Sequence, residues 1–110
     1  LLQGMGRGQS HKGQIIARWL RGESYDQLRL STRHAVVSIQ RYIRTFVRVV
    51  ELHQRGNQPE EIAFLLQIGL PLVNDYLGVY QVNDSPGCRE RLQEQLARLN
   101  QGAAEKKGAI

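Results

Sequence analysis

The sequence predicts an all-α protein: two tandem three-helix repeats that share one long helix, followed by a C-terminal helix. Three observations carry that expectation. Sliding the sequence against itself by 34 residues aligns Ile16 with Val50, Gly22 with Gly56, Leu28 with Ile62, Ile39 with Val73, Tyr42 with Tyr76 and Ile43 with Leu77, an internal repeat. Ile39, Ile43, Phe46 and Val50 recur at intervals of four, three and four, which draws one apolar stripe along a helix. No glycine or proline interrupts Val36 to Arg55, so the third helix of the first repeat runs on as the first helix of the second. Two copies are too few for a solenoid, and the small and bulky marker residues of tetratricopeptide arrays, which share this period, are absent.

Taken in order, residues 1–11 are expected to be a flexible segment, 12–47 the first repeat, 48–81 the second, 82–100 a linker with an amphipathic helix, and 101–110 a flexible tail. The first repeat opens with a helix over Lys12 to Arg21 that stops at Gly22, the residue type best suited to a left-handed C-terminal position. Ser24 caps a short second helix carrying Tyr25 and Leu28, and Leu30 to His34 make the next turn. The long helix begins near Ala35 and ends at Gly56. In the second repeat Pro59 opens a helix at an early position where its missing N–H costs nothing, and Ile62, Ala63 and Leu66 form the inner face. Gly69 makes the turn, and a helix from about Leu70 carries Val73, Tyr76, Leu77 and Tyr80. After the breakers Asn83 to Gly87, a last helix from about Cys88 to Leu99 shows the stripe Cys88, Leu92, Leu96 and Leu99, which must pack on Tyr76 and Tyr80 or pair with another molecule.

The net charge of +5 is unevenly placed. Residues 1–50 hold nine basic against two acidic groups, +7, whereas residues 51–110 hold six against eight, −2. A basic half points to a polyanion, because neutralising phosphates releases counterions. No run of about 18 uncharged apolar residues exists, which argues against a membrane span. Cys88 is the only cysteine, excluding an intramolecular disulfide framework and fitting a cytoplasmic protein. The chain opens on Leu1 rather than Met, which suggests a longer protein with an upstream region.

Helix, glycine turn, short helix, turn and a third helix with Ile39 and Ile43 inward is the spacing of a homeodomain-like helix-turn-helix unit, in which the second helix braces the third for the major groove. The outward residues of that third helix are Val36, Val37, Gln40, Arg41 and Arg44. Gln40 suits adenine, Arg41 suits guanine or a phosphate, and the valines suit a thymine methyl. Ser31, Thr32, Arg33 and His34, just before the helix, are placed to hold backbone phosphates. The second repeat presents Asn74, Asp75 and Gly78 where the first presents Gln40, Arg41 and Arg44, and residues 51–80 balance to −3. That repeat is expected to position the first or to meet a protein.

The run Thr32-Arg33-His34, Ile39 to Arg44, Phe46 and Arg48-Val49, followed by Gly56, Ile62-Ala63, Val73 and Tyr76-Leu77, resembles the uncharacterised prokaryotic family DUF1670, a domain of unknown function with helix-turn-helix character. The likeness covers about residues 9–81. The family pattern places Thr-His-His-Ser before Ala-Ile-Glu-Arg-Tyr, and this chain departs from it at Arg33, Ala35, Ser38 and Gln40. Losing serine at Ala35 removes a helix cap, while Arg33 and Gln40 make the surface more basic. The resemblance implies the fold, DNA binding and a longer amino-terminal region, with no biological role.

His11, His34 and His53 share no ligand spacing with each other, with a carboxylate or with Cys88, so no metal and no cofactor are expected. Gly4, Gly6 and Gly8 follow no strand and make no nucleotide fingerprint. Ser24 with Asp26 lacks a histidine, and Glu60 with Glu61 complement a helix dipole, so nothing here indicates an enzyme. The expected function is binding of double-stranded DNA, as a transcriptional regulator or the DNA-binding part of a mobile-element protein. The alternative is a helical protein-interaction adaptor, with a homodimer or protein partner meeting Leu92, Leu96 and Leu99.

Overall fold

The computed structural model describes residues 11–109, with side chains to residue 98. Among these residues it contains six helices and no strand: α1 His11–Leu20, α2 Tyr25–Thr32, α3 Val36–Gln54, α4 Pro59–Leu66, α5 Leu70–Val82 and α6 Pro86–Ala109. None of them alone is long and apolar enough to cross a membrane.

The 34-residue repeat of the sequence is a repeat of backbone conformation. Helices α2 and α4 have eight residues each and lie 34 positions apart, as do the first residues of α3 and α5 and the last residues of α1 and α3. Gly22 and Gly56 both take positive φ, 112° and 95°, where a side chain would be strained. The next amides, of Glu23 and Asn57, donate five residues back to Arg18 and Leu52, closing the same C-terminal motif twice. The N-cap positions correspond as well. Ser24 accepts from the amide of Gln27 while the Gln27 side chain accepts from the amide of Ser24, and Gln58 and Glu61 form the matching box before α4.

Helix α3 is the axis of the molecule and packs against all five others. Its 19 residues change character along their length. In the first half only Ile39 and Ile43 are buried, so one side stays open; in the second half Phe46, Val47, Val49 and Val50 are all buried, because α5 and α6 pack on it too. Ile15, Ile16 and Trp19 of α1, Leu28 of α2, Ile62 of α4 and Val73, Tyr76 and Val79 of α5 complete one continuous core. Burying side chains of this size contributes about 1.5–3 kcal/mol each. Phe46 and Tyr76 meet edge to face at 5.7 Å, joining the two repeats at the centre.

Several boundaries differ from expectation. Helix α2 extends through Thr32, so Leu30, Ser31 and Thr32 are helical and the turn shrinks to Arg33, His34 and Ala35. The reason is that the hydroxyls of Ser31 and Thr32 donate to the carbonyls of Gln27 and Leu28 one turn back, which is compatible with helix. Gly69 is not the residue that reverses the chain: it is the N-cap of α5 at φ −70°, and the left-handed positions are Gln67 (φ 56°) and, in the first repeat, Arg33 (φ 61°). Helix α6 starts at Pro86 and continues to Ala109, so the expected tail from 101 is helical, as its Ala, Glu, Lys and Gln content favours. Cys88, Leu92 and Leu96 are buried in the core cluster that also holds Tyr76 and has Tyr80 packed against it, α6 packs on α1 and α3, and the Cys88 thiol donates to the carbonyl of Leu20. Leu99 lies outside the described side chains, and the expected flexible segment 1–11 lies outside the described residues except for His11.

Candidate nucleic-acid interface

The turn that launches α3 is held from both sides. Arg33 sits in the left-handed region with its amide donating to the carbonyl of Arg29, and its side chain is exposed. The backbone amide of His34 donates to Oγ1 of Thr32 at 3.4 Å, and its Nδ1–H donates to the Thr32 carbonyl at 3.0 Å. The imidazole stacks on His11 at 4.8 Å and meets the edge of Tyr42 at 5.8 Å. His34 is thus half-buried and engaged as a brace rather than extended into solvent. Lys12 lies 5.3 Å from the centre of the Tyr42 ring, so a cation from α1 flanks the same turn.

Ala35 is the N-cap of α3 and offers no side-chain bond. The first backbone bonds run from Ser38 and Ile39 to its carbonyl, so the amides of Val36 and Val37 have no partner within the helix. Val36 is half-buried and Val37 is 62% exposed, an unusual exposure for an aliphatic side chain. Gln40, Arg41 and Arg44 are exposed on the following turns. Arg48, one further turn along, was not singled out from sequence although its interval from Arg44 carries the signal; it is exposed on the same stripe. Val37, Arg41, Arg44 and Arg48 are spaced four, three and four, the outward counterpart of the buried Ile39, Ile43, Phe46 and Val50.

Arg33, Arg41, Arg44 and Arg48 have no ion-pair partner among the described residues. The sequence explains why, since no acidic residue occurs between Asp26 and Glu51. Of the other cations in the basic half, Arg29 is 4.0 Å from Asp26 and remains exposed. Arg18 is committed: it donates to both carboxylate oxygens of Glu23 at 2.8 and 2.6 Å and to Oγ of Ser31, and the guanidinium holds the Glu23 carboxyl below the usual carboxylate range. Ser31 is therefore tied to α1 and Thr32 to its own helix and the turn, whereas Gln40, Arg41 and Arg44 are exposed along α3 and Arg33 is exposed in the turn before it. Among the described residues no three His, Cys, Asp or Glu side chains converge as a metal site.

The profile of a family described as "Protein of unknown function (DUF1670)" matches residues 1–79, which takes in α1 to α4 and most of α5. The chain belongs to the DUF1670 family. No curated protein and no solved structure matches it.

The second repeat of this DUF1670 chain has the same frame and a different surface. Helices α4 and α5 turn by 118° across Gln67, Ile68 and Gly69. At the positions of Val37, Gln40, Arg41, Arg44 and Arg48 stand Pro71, Asn74, Asp75, Gly78 and Val82, with no cation among them. Geometry separates the repeats as well as charge. A Cβ added to Gly13 of α1 would lie 2.6 Å from Oδ2 of Asp75, so α1 passes directly over α5 at the point corresponding to Arg41. Asp75 is half-buried beneath α1 there, whereas Arg41 at the corresponding point of α3 is exposed.

Proposed function

We propose that this chain is a non-enzymatic DNA-binding helix-turn-helix protein of the cytoplasm, a transcriptional regulator or the DNA-binding part of a mobile-element protein, and that its first repeat makes the contact. The observation that carries the reading is the unpaired arginine stripe on the open half of α3, directly after a three-residue turn. An α-helix fits the major groove, which is about 12 Å wide, whereas Val37 to Arg48 span about 16 Å at 1.5 Å per residue. The two ends of the stripe therefore take different roles. Val36, Val37, Gln40 and Arg41 at the amino end enter the groove, with Gln40 suited to adenine, Arg41 to guanine and the valines to a thymine methyl. Arg44 and Arg48 reach the backbone at the groove wall, and Arg33 with the first amides of α3 meets a phosphate at the helix start. Helix α5, which carries no cation and is crossed by α1 at Asp75, is left to support α3 through Tyr76 and Phe46.

The test is fluorescence anisotropy on mixed genomic duplexes at two salt concentrations. Four to six neutralised phosphates give a slope of log affinity against log salt of about −4 to −5. Absence of binding above background at low salt would overturn the reading.

A further inference from the structure

The same edge of the two repeats, made by the end of the short helix, the turn and the start of the next helix, carries opposite chemistry. In the second repeat it presents Phe64, 81% exposed, and Leu65, 55% exposed, one turn after Glu60 and Glu61, which are also exposed. No cation occurs from Gly56 to Cys88 to neutralise them. In the first repeat the edge presents Leu30, 69% exposed, and Val37, 62% exposed, beside Arg29, Arg33 and Arg41. Phe64 corresponds to Leu30 in the 34-residue register and Glu60 to Asp26, which lies 4.0 Å from Arg29; with Arg29, Arg33 and Arg41 outnumbering that one acid, the element has an acidic rim in one copy and a net basic rim in the other.

From this complementarity we infer that the acidic-apolar edge of the second repeat docks the basic-apolar edge of the first repeat of a second copy of this chain. An exposed apolar patch with charge at its margin is a common make-up of an interface. Pairing like edges would set Glu60 and Glu61 against their own counterparts, or arginine against arginine, which is repulsive; unlike edges set carboxylate against guanidinium. The contact is heterologous, so each copy has one donor edge and one acceptor edge, and association proceeds head to tail. It uses the side of α3 assigned above to DNA, so in the absence of a duplex the reading edge is masked. The association itself does not depend on that assignment and is tested without nucleic acid.

The experiment is sedimentation velocity of the chain alone from about 10 to 500 µM, the range in which a small edge contact is populated. Wild type should gain mass with concentration, and less so in high salt. Phe64→Glu removes the acceptor edge and Val37→Glu the donor edge; both positions are exposed, and Leu65→Glu and Leu30→Glu stand in for either that loses its helical circular dichroism. Each variant alone should stay monomeric, while an equimolar mixture should form a 1:1 dimer and nothing larger. A wild type that stays monomeric throughout, a Val37→Glu chain that associates as wild type does, or a mixture that remains monomeric would overturn the proposal.

Discussion

Individual side chains divide into those that fix the backbone and those left free to act. Gly56 belongs to the first group: at φ 95° it reverses the chain between α3 and α4, and nothing crowds its Cβ position, so only backbone strain opposes a side chain. Gly56→Ala should therefore cost about 1–2 kcal/mol, read from urea denaturation, and an unchanged midpoint would refute the strain argument. Arg41 belongs to the second group. If it meets a base edge, Arg41→Ala should lose about 1–3 kcal/mol on the preferred duplex and relax preference at one base pair. A uniform loss over all duplexes, seen by comparing a panel of single-pair variants, would make Arg41 a phosphate contact instead. His34 shows what position alone leaves out: it stands just before α3, as a phosphate contact would, and its ring also stacks on His11 and bonds the Thr32 carbonyl.

At the level of elements, α3 is the part whose properties follow most directly from its sequence. The uninterrupted segment Val36 to Arg55 and the spacing of its apolar residues gave both its length and its buried side, and the outward arginines followed as the complement of that side. Its start is weak, because Ala35 provides no side-chain cap. Ala35→Ser should raise stability by about 1 kcal/mol, read as a shift of the denaturation midpoint, and no shift would mean that the first amides already have a partner. Elements whose limits depend on side-chain-to-backbone bonds were less legible. Ser31 and Thr32 read as turn residues by type, and only their back-bonding to Gln27 and Leu28 keeps α2 intact. The length of α6 was missed because its carboxyl end lacks an apolar stripe and carries helix propensity alone, a weak signal beside packing.

The whole molecule sets two near-identical frames side by side and leaves one of them open. The sequence showed the repeat and the loss of charge at Asn74, Asp75 and Gly78, but not that α1 lies over α5 through Gly13 and Asp75, because contacts between distant helices leave no local periodicity. The proposal that α3 makes the DNA contact and α5 supports it rests on the arginine stripe of the first repeat and the absence of a cation from α5. The most direct test titrates one labelled duplex over a salt series with wild type, Arg44→Ala and Asn74→Ala. Arg44→Ala should reduce the magnitude of the salt slope by about one, the loss of a single phosphate contact, while Asn74→Ala should match wild type in both affinity and slope. Abolition of binding by Asn74→Ala with Arg44→Ala unaffected would contradict the account.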